Sequence, residues 1–83
     1  MKITLKLYAG LRQYLPENAK EHSTNLDISS TETAFSILDK YNVPKESAHL
    51  VLLNGVYLDT DERGTTNFSD GDTLAVWPPV AGG

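Results

Sequence analysis

Residues 29–44 read "SSTETAFSILDKYNVP", and this stretch decides the fold because the hydrophobic period changes within it. Ala34, Ile37, Leu38 and Tyr41 recur at i, i+3, i+4 and i+7, with Phe35 widening the stripe, which is the spacing of one helical face. Ser29 and Glu32 have capping-box spacing, and Ser30 or Thr31 serves equally well as the N-cap. Asn42 and Pro44 supply the stop. The sequence predicts one main helix here, and on either side of it the period is two.

Upstream, residues 2–9 alternate, with Ile3, Leu5, Leu7 and Ala9 on one face and Lys2, Thr4, Lys6 and Tyr8 on the other, as in a half-buried strand. "GLRQYLPENAKEHS" is turn-rich, and Pro16 and Asn18 interrupt any helix before Thr24, Leu26 and Ile28 resume the alternation. The two strands read as an antiparallel hairpin with a long loop. Downstream, "HLVLLNG" is a short apolar run closed by the hairpin dipeptide Asn54-Gly55 and followed by "VYL". "DTDERGTTNFSDGD" reads as loop, with Phe68 a plug at the core edge and Asp70-Gly71-Asp72 a turn that launches "TLAVW". Strands, one helix, then strands in so short a chain imply an α+β fold of the ubiquitin-like, β-grasp type, a mixed sheet of four to five strands packed on one main helix. Residues 1–77 form the domain, and residues 78–83 form a protruding, flexible C-terminal tail.

Composition narrows the function. A chain of 83 residues buries only ~60% of the surface its unfolded form exposes, so it builds one thin core and no deep pocket. With 40% hydrophobic and 22% charged residues it is an ordinary globular sequence, and it lacks the ~20-residue apolar run of a membrane span. The alternating N-terminus is not a signal peptide, which makes the cytoplasm the expected location. Seven basic residues against eleven acidic give a net charge of −4, the wrong sign for a phosphate backbone, so nucleic acid is not an expected partner. There is no cysteine, and the two histidines, His22 and His49, lie far apart as surface or edge residues, so no metal site is expected. No nucleophile with a base and no phosphate loop suggests a stand-alone enzyme.

Outward alternation places Tyr8, Tyr57, Ala75 and Trp77 on the polar side of the sheet. The three aromatics are either scattered exposed rings or a patch of the sort that marks a binding surface. After Trp77 the sequence continues Pro78-Pro79-Val80-Ala81-Gly82-Gly83. The prolines fix φ and favour a stiff, extended exit, and six residues at ~3.3 Å each reach ~20 Å. Gly82 and Gly83 lack a Cβ, which suits insertion into a passage too narrow for a side chain.

The stretch "DGDTLAVWPPVAGG" resembles the C-terminus of the MoaD/ThiS family of ubiquitin-like sulfur carriers, and "PPVAGG" is closer to the small subunit of molybdopterin synthase than to the thiamin-pathway carrier. "KLYAGLRQYL" is similar to that family's first strand and Arg-bearing loop. The resemblance implies that an adenylyltransferase of the ubiquitin-activating type, using ATP and Mg, adenylates Gly83, and that a cysteine desulfurase or rhodanese type of donor then leaves a thiocarboxylate. It implies insertion of Pro78 through Gly83 into the large subunit of molybdopterin synthase, which holds the catalytic residues. It also implies that the sheet face of Tyr8, Tyr57 and Trp77 docks these partners. Arg12 is either a solvated loop charge or a contact to an acidic group on the activating enzyme. No cofactor is expected on the chain itself. Thiamin or tRNA thiolation, and a ubiquitin-like tagging or binding module, remain as other readings.

Overall fold

Strand β1 (Lys2–Leu7) forms because alternation lets Ile3, Leu5 and Leu7 leave water together, and all three are buried. The computed structural model describes residues 1–79. Four further strands complete the sheet: β2 (Ser23–Asp27), β3 (Leu50–Leu53), β4 (Val56–Tyr57) and β5 (Thr73–Trp77). They make a mixed sheet in the order β2-β1-β5-β3-β4. β1 runs antiparallel to β2, with Ile3 opposite Leu26, and parallel to β5, with Leu5 opposite Leu74 and Leu7 opposite Val76. β5 is also antiparallel to β3, with Val51 opposite Val76. The last strand in sequence is therefore the middle strand in space. This is the ubiquitin-like β-grasp that the sequence predicts.

The main helix, α1 (Ala34–Lys40), lays Ala34, Ile37 and Leu38 over the inner face of the sheet, where they share one core with Leu5, Leu7, Val51, Leu74 and Val76. It starts later than the sequence suggests. The N-cap is Thr33, whose Oγ1 accepts from the Ser36 amide at 3.3 Å while Ser36 Oγ accepts from the Thr33 amide at 2.8 Å. Ser29 instead pairs with the Thr31 hydroxyl, and Glu32 faces Lys40 at 2.7 Å. The helix stops where expected. Asn42 takes a left-handed φ of 63°, and the Val43 amide returns to the Leu38 carbonyl at 2.9 Å.

The structure corrects three further expectations. Ala9 does not continue the inward row of β1: with φ at 51° it is exposed and opens a 3-10 helix, Ala9–Tyr14, in the stretch read as helix-free, and Leu11 is the residue buried there. The helix ends before Pro16, which supplies no N–H. The polar run after β4 contains a one-turn helix, α2 (Thr60–Arg63), because Asp59 and Glu62 form a capping box at 2.9 and 3.0 Å. Ala75 faces away from the main core yet is 9% exposed, sheltered on the strand flanked by both neighbours. Phe68 does fill the core edge.

Polar contacts pin the start of β5. The Gly71 amide donates to the Lys2 carbonyl at 2.7 Å, and the Lys2 amide donates to Asp70 Oδ1 at 2.7 Å. Gly71 adopts φ of 86°, a conformation that side chains disfavour. Asn54, in the positive-φ Asn54-Gly55 turn between β3 and β4, donates to Asp72 Oδ1 and accepts from the Thr73 amide, both at 2.8 Å. Among the described residues no helix is long and apolar enough to cross a membrane.

Candidate functional site at the end of the central strand

The far end of β5 is held as closely as its start. The Tyr8 amide donates to the Val76 carbonyl at 3.1 Å from one side, and the His49 amide donates to the Trp77 carbonyl at 2.9 Å from the other. Pro78 and Pro79 come next, and neither has an N–H to extend the ladder. Pairing ends at a defined residue, Trp77, between β1 and β3.

Around that point the aromatic side chains form a column. Trp77 and Tyr8 stack with ring centroids 4.2 Å apart and planes at 3°, and Tyr8 stacks on His22 at 4.4 Å and 28°. The order His22, Tyr8, Trp77 repeats the order of the strands that carry them or lie beside them. His22 is thus more than an isolated edge residue. Next to the column lies an open, mainly apolar groove of about 500 Å³, lined by Ala9, Gly10, His49, Leu50, Trp77, Pro78 and Pro79.

The structure brings together some of the residues singled out in the sequence and separates others. Tyr8 and Trp77 are in contact. Tyr57 stands opposite Leu52 on the edge strand, 53% exposed, and it does not join the column. Its ring instead lies 5.6 Å from the Arg63 guanidinium. Arg12 is exposed on the 3-10 helix that comes after Tyr8. Pro78 is half-buried and Pro79 exposed, whereas Val80, Ala81, Gly82 and Gly83 lie outside the described residues.

Arg63 was not legible as a site residue. It is 6% exposed, and its Nε, Nη1 and Nη2 donate to the carbonyls of Leu58, Ala48 and His49 at 2.9, 3.0 and 3.1 Å. The Asp59–Glu62 spacing was the available signal, since it predicts the turn that carries Arg63 inward. The one clear electrostatic perturbation is remote from the site: the hydrogen bond from Lys40 holds the Glu32 carboxyl below its ordinary range. Among the described residues no cluster of His, Asp or Glu has the makings of a metal site. The arrangement offers an aromatic surface and an apolar groove where the chain leaves the sheet.

Comparison with known proteins agrees with this fold. No curated protein matches the chain. Among solved structures, the Haloferax volcanii HVO 2177 protein superposes with a TM-score of 0.77 at 23% identity, covering 100% of this chain and 87% of that one. SAMP1 from Haloferax volcanii gives 0.67 at 22% identity, with both chains covered completely. The complex of subunits 1 and 2 of molybdopterin-converting factor from Helicobacter pylori 26695 gives 0.60 at 22% identity, again with 100% of each chain covered. These likenesses establish the ubiquitin-like fold of small modifiers and MoaD-type subunits. The family described as Mut7-C ubiquitin matches residues 1–82. The chain therefore belongs to the Mut7-C ubiquitin family, with the MoaD-like fold that its sequence resembles.

Proposed function

We propose that this chain is a sulfur carrier in which Gly83, as the terminal residue, is adenylated and then converted to a thiocarboxylate that supplies sulfur for a molybdopterin or tungstopterin cofactor. The observation that carries the reading is the place of β5: a strand paired on both sides ends at Trp77 and leads through Pro78-Pro79 into the sequence Val80-Ala81-Gly82-Gly83. A bound central strand gives the chain a fixed point of departure, and two prolines stiffen the exit from it.

A carboxylate is a poor electrophile. Reaction with ATP and Mg on an adenylyltransferase of the ubiquitin-activating type makes it an acyl-adenylate and releases pyrophosphate. The terminal sulfur of a cysteine persulfide on a donor of the cysteine desulfurase or rhodanese type then attacks the acyl carbon and expels AMP. A second thiol reduces the resulting acyl disulfide, leaving a thiocarboxylate on Gly83 and a disulfide between the two thiols. The sequence has no cysteine, so no side-chain thiol within it holds that sulfur. Transfer to the pterin precursor takes place on a large synthase subunit that supplies the catalytic residues, and water restores the carboxylate. The likeness to a complex of two molybdopterin-converting factor subunits supports such a partner. The Tyr8–Trp77 stack and its groove form the docking face, with Arg12 beside it.

The likeness to SAMP1, a small archaeal modifier protein, favours a second reading in which activated Gly83 is joined to a lysine of another protein. Both readings need a free Gly83 carboxylate. Pyrophosphate exchange tests that requirement: the chain ending at Gly83 supports exchange with its activating enzyme, and the same chain extended by one alanine does not. Equal exchange by the two proteins contradicts the proposal.

A further inference from the structure

We infer that Arg63 positions the chain's exit from the sheet, by fixing the Ala48–His49 backbone that closes the last pair of β5. This deepens the carrier reading and rests on it only in the final step, where exit geometry is linked to activation.

Arg63 is a buried cation whose donors meet three carbonyls and, more weakly, the Tyr57 hydroxyl at 3.4 Å. Among the described residues it has no carboxylate partner within ion-pair distance. A buried charge is costly unless its donors are met, so the three carbonyls are held to the guanidinium as firmly as it is held to them. The guanidinium is a planar fork, and its fixed donor directions set the carbonyls relative to one another. Leu58 comes just after β4, whereas Ala48 and His49 come just before β3. One side chain thus ties the two ends of that hairpin together.

His49 carries the link onward. Its carbonyl accepts from Arg63 at 3.1 Å, and its amide donates to the Trp77 carbonyl at 2.9 Å. Trp77 immediately precedes Pro78, so a single residue stands between the guanidinium and the end of the ladder. His49 also lines the groove beside Trp77. The 3-10 turn before it, Lys45–Ser47, has no side-chain cap to fix it independently. Among the described residues, Arg63 is the side chain that hydrogen-bonds to the Ala48 and His49 carbonyls.

The test uses Arg63→Met and Arg63→Lys in the full chain and reads amide hydrogen exchange residue by residue, alongside pyrophosphate exchange with the activating enzyme. The His49 amide is expected to exchange about tenfold or more faster than in wild type, beyond any common change at Leu5 and Val51. The variants should show a correspondingly lower kcat/KM for activation. A uniform rise at all three amides, or no change at His49, overturns the inference, as does a freed His49 amide with wild-type kcat/KM. Arg63→Lys keeps the charge without the fork and carries the test alone if Arg63→Met does not fold. A wild-type chain that is never adenylated contradicts the carrier reading instead, and leaves the exchange result as the measure of what Arg63 holds.

Discussion

The Trp77 indole lies flat against the Tyr8 phenol ring, with centroids 4.2 Å apart and planes 3° from parallel. Trp77 ends β5 and Tyr8 directly follows β1, its parallel neighbour, and the Tyr8 amide donates to the Val76 carbonyl. A polar-side aromatic stack therefore marks the place where the chain leaves the sheet. It is a rigid, amphipathic surface of the kind that dominates hot spots, since stacked rings lose little side-chain freedom on binding.

Removing that stack should separate binding from folding. Trp77 projects away from the core, so Trp77→Ala is expected to cost about 1 kcal/mol of stability from the lost aromatic pair. The same change should weaken binding of the activating enzyme by about 2 kcal/mol or more. Urea titration and calorimetry measure the two losses. Unchanged affinity would remove the stack from the docking face.

The clamp at the other end of β5 makes a stability prediction. Asn54 makes two side-chain hydrogen bonds at φ of 51°. Asn54→Ala forfeits both and strains the backbone, for an expected loss of about 2 kcal/mol, whereas Asn54→Gly tolerates the left-handed φ and should lose about half as much. If the alanine variant proves the more stable in urea, the strain argument fails.

Leu74 is fully buried at the centre of the sheet, opposite Leu5 on one side and Leu53 on the other. Leu74→Ala should cost about 3 kcal/mol through lost transfer energy and the cavity left behind. In a domain this small that is a large part of the whole stability. A loss below about 1 kcal/mol, measured by thermal or urea unfolding, would mean that the core collapses around the gap more readily than its packing suggests.

Glu32 gives the fold a modest acid sensitivity. The Lys40 hydrogen bond, helped by Ser36, lowers its carboxyl below the ordinary value of 4.5, against burial that raises it. A depressed folded-state pKa contributes stability that is fully present above 4.5 and is lost as pH falls through the folded value. Lys40 is half exposed, so solvent screening keeps the contribution to about 0.5 kcal/mol. Glu32→Gln should be slightly less stable than wild type at neutral pH, and the gap should close in acid. A gap that widens as pH falls contradicts the assignment.

The strands and the main helix were legible because each buries one face, and burial imposes a period that survives in the sequence: Ile3, Leu5 and Leu7 at two, Ala34, Ile37 and Leu38 at helical spacing. Features held by polar geometry were less visible. Thr33 and Ser36 outcompete Ser29 and Glu32 for the helix start because Glu32 has a better partner in Lys40, one helix length away. α2 is a single turn, too short to show a hydrophobic stripe, and its only trace is the Asp59–Glu62 spacing. Its Arg63 reads as one more surface charge in a polar run until the turn aims it at three carbonyls. At the site, alternation placed Tyr8 and Trp77 on one face, but their contact depends on the parallel β1–β5 register, and the approach of His22 depends on the turn before β2. Neither is written in a local pattern.

The central claim is that Gly83 carries sulfur as a thiocarboxylate, and intact-mass spectrometry tests it most directly. The chain, with its free Gly83 terminus verified by mass, is incubated with ATP, Mg, the activating enzyme and a sulfur donor. The account predicts a mass increase equal to the exchange of one oxygen for sulfur, confined to the peptide containing Gly83 and lost on reaction with the large synthase subunit and the pterin precursor. An unshifted mass accompanied by lysine-linked conjugates would contradict it and assign the chain to protein tagging.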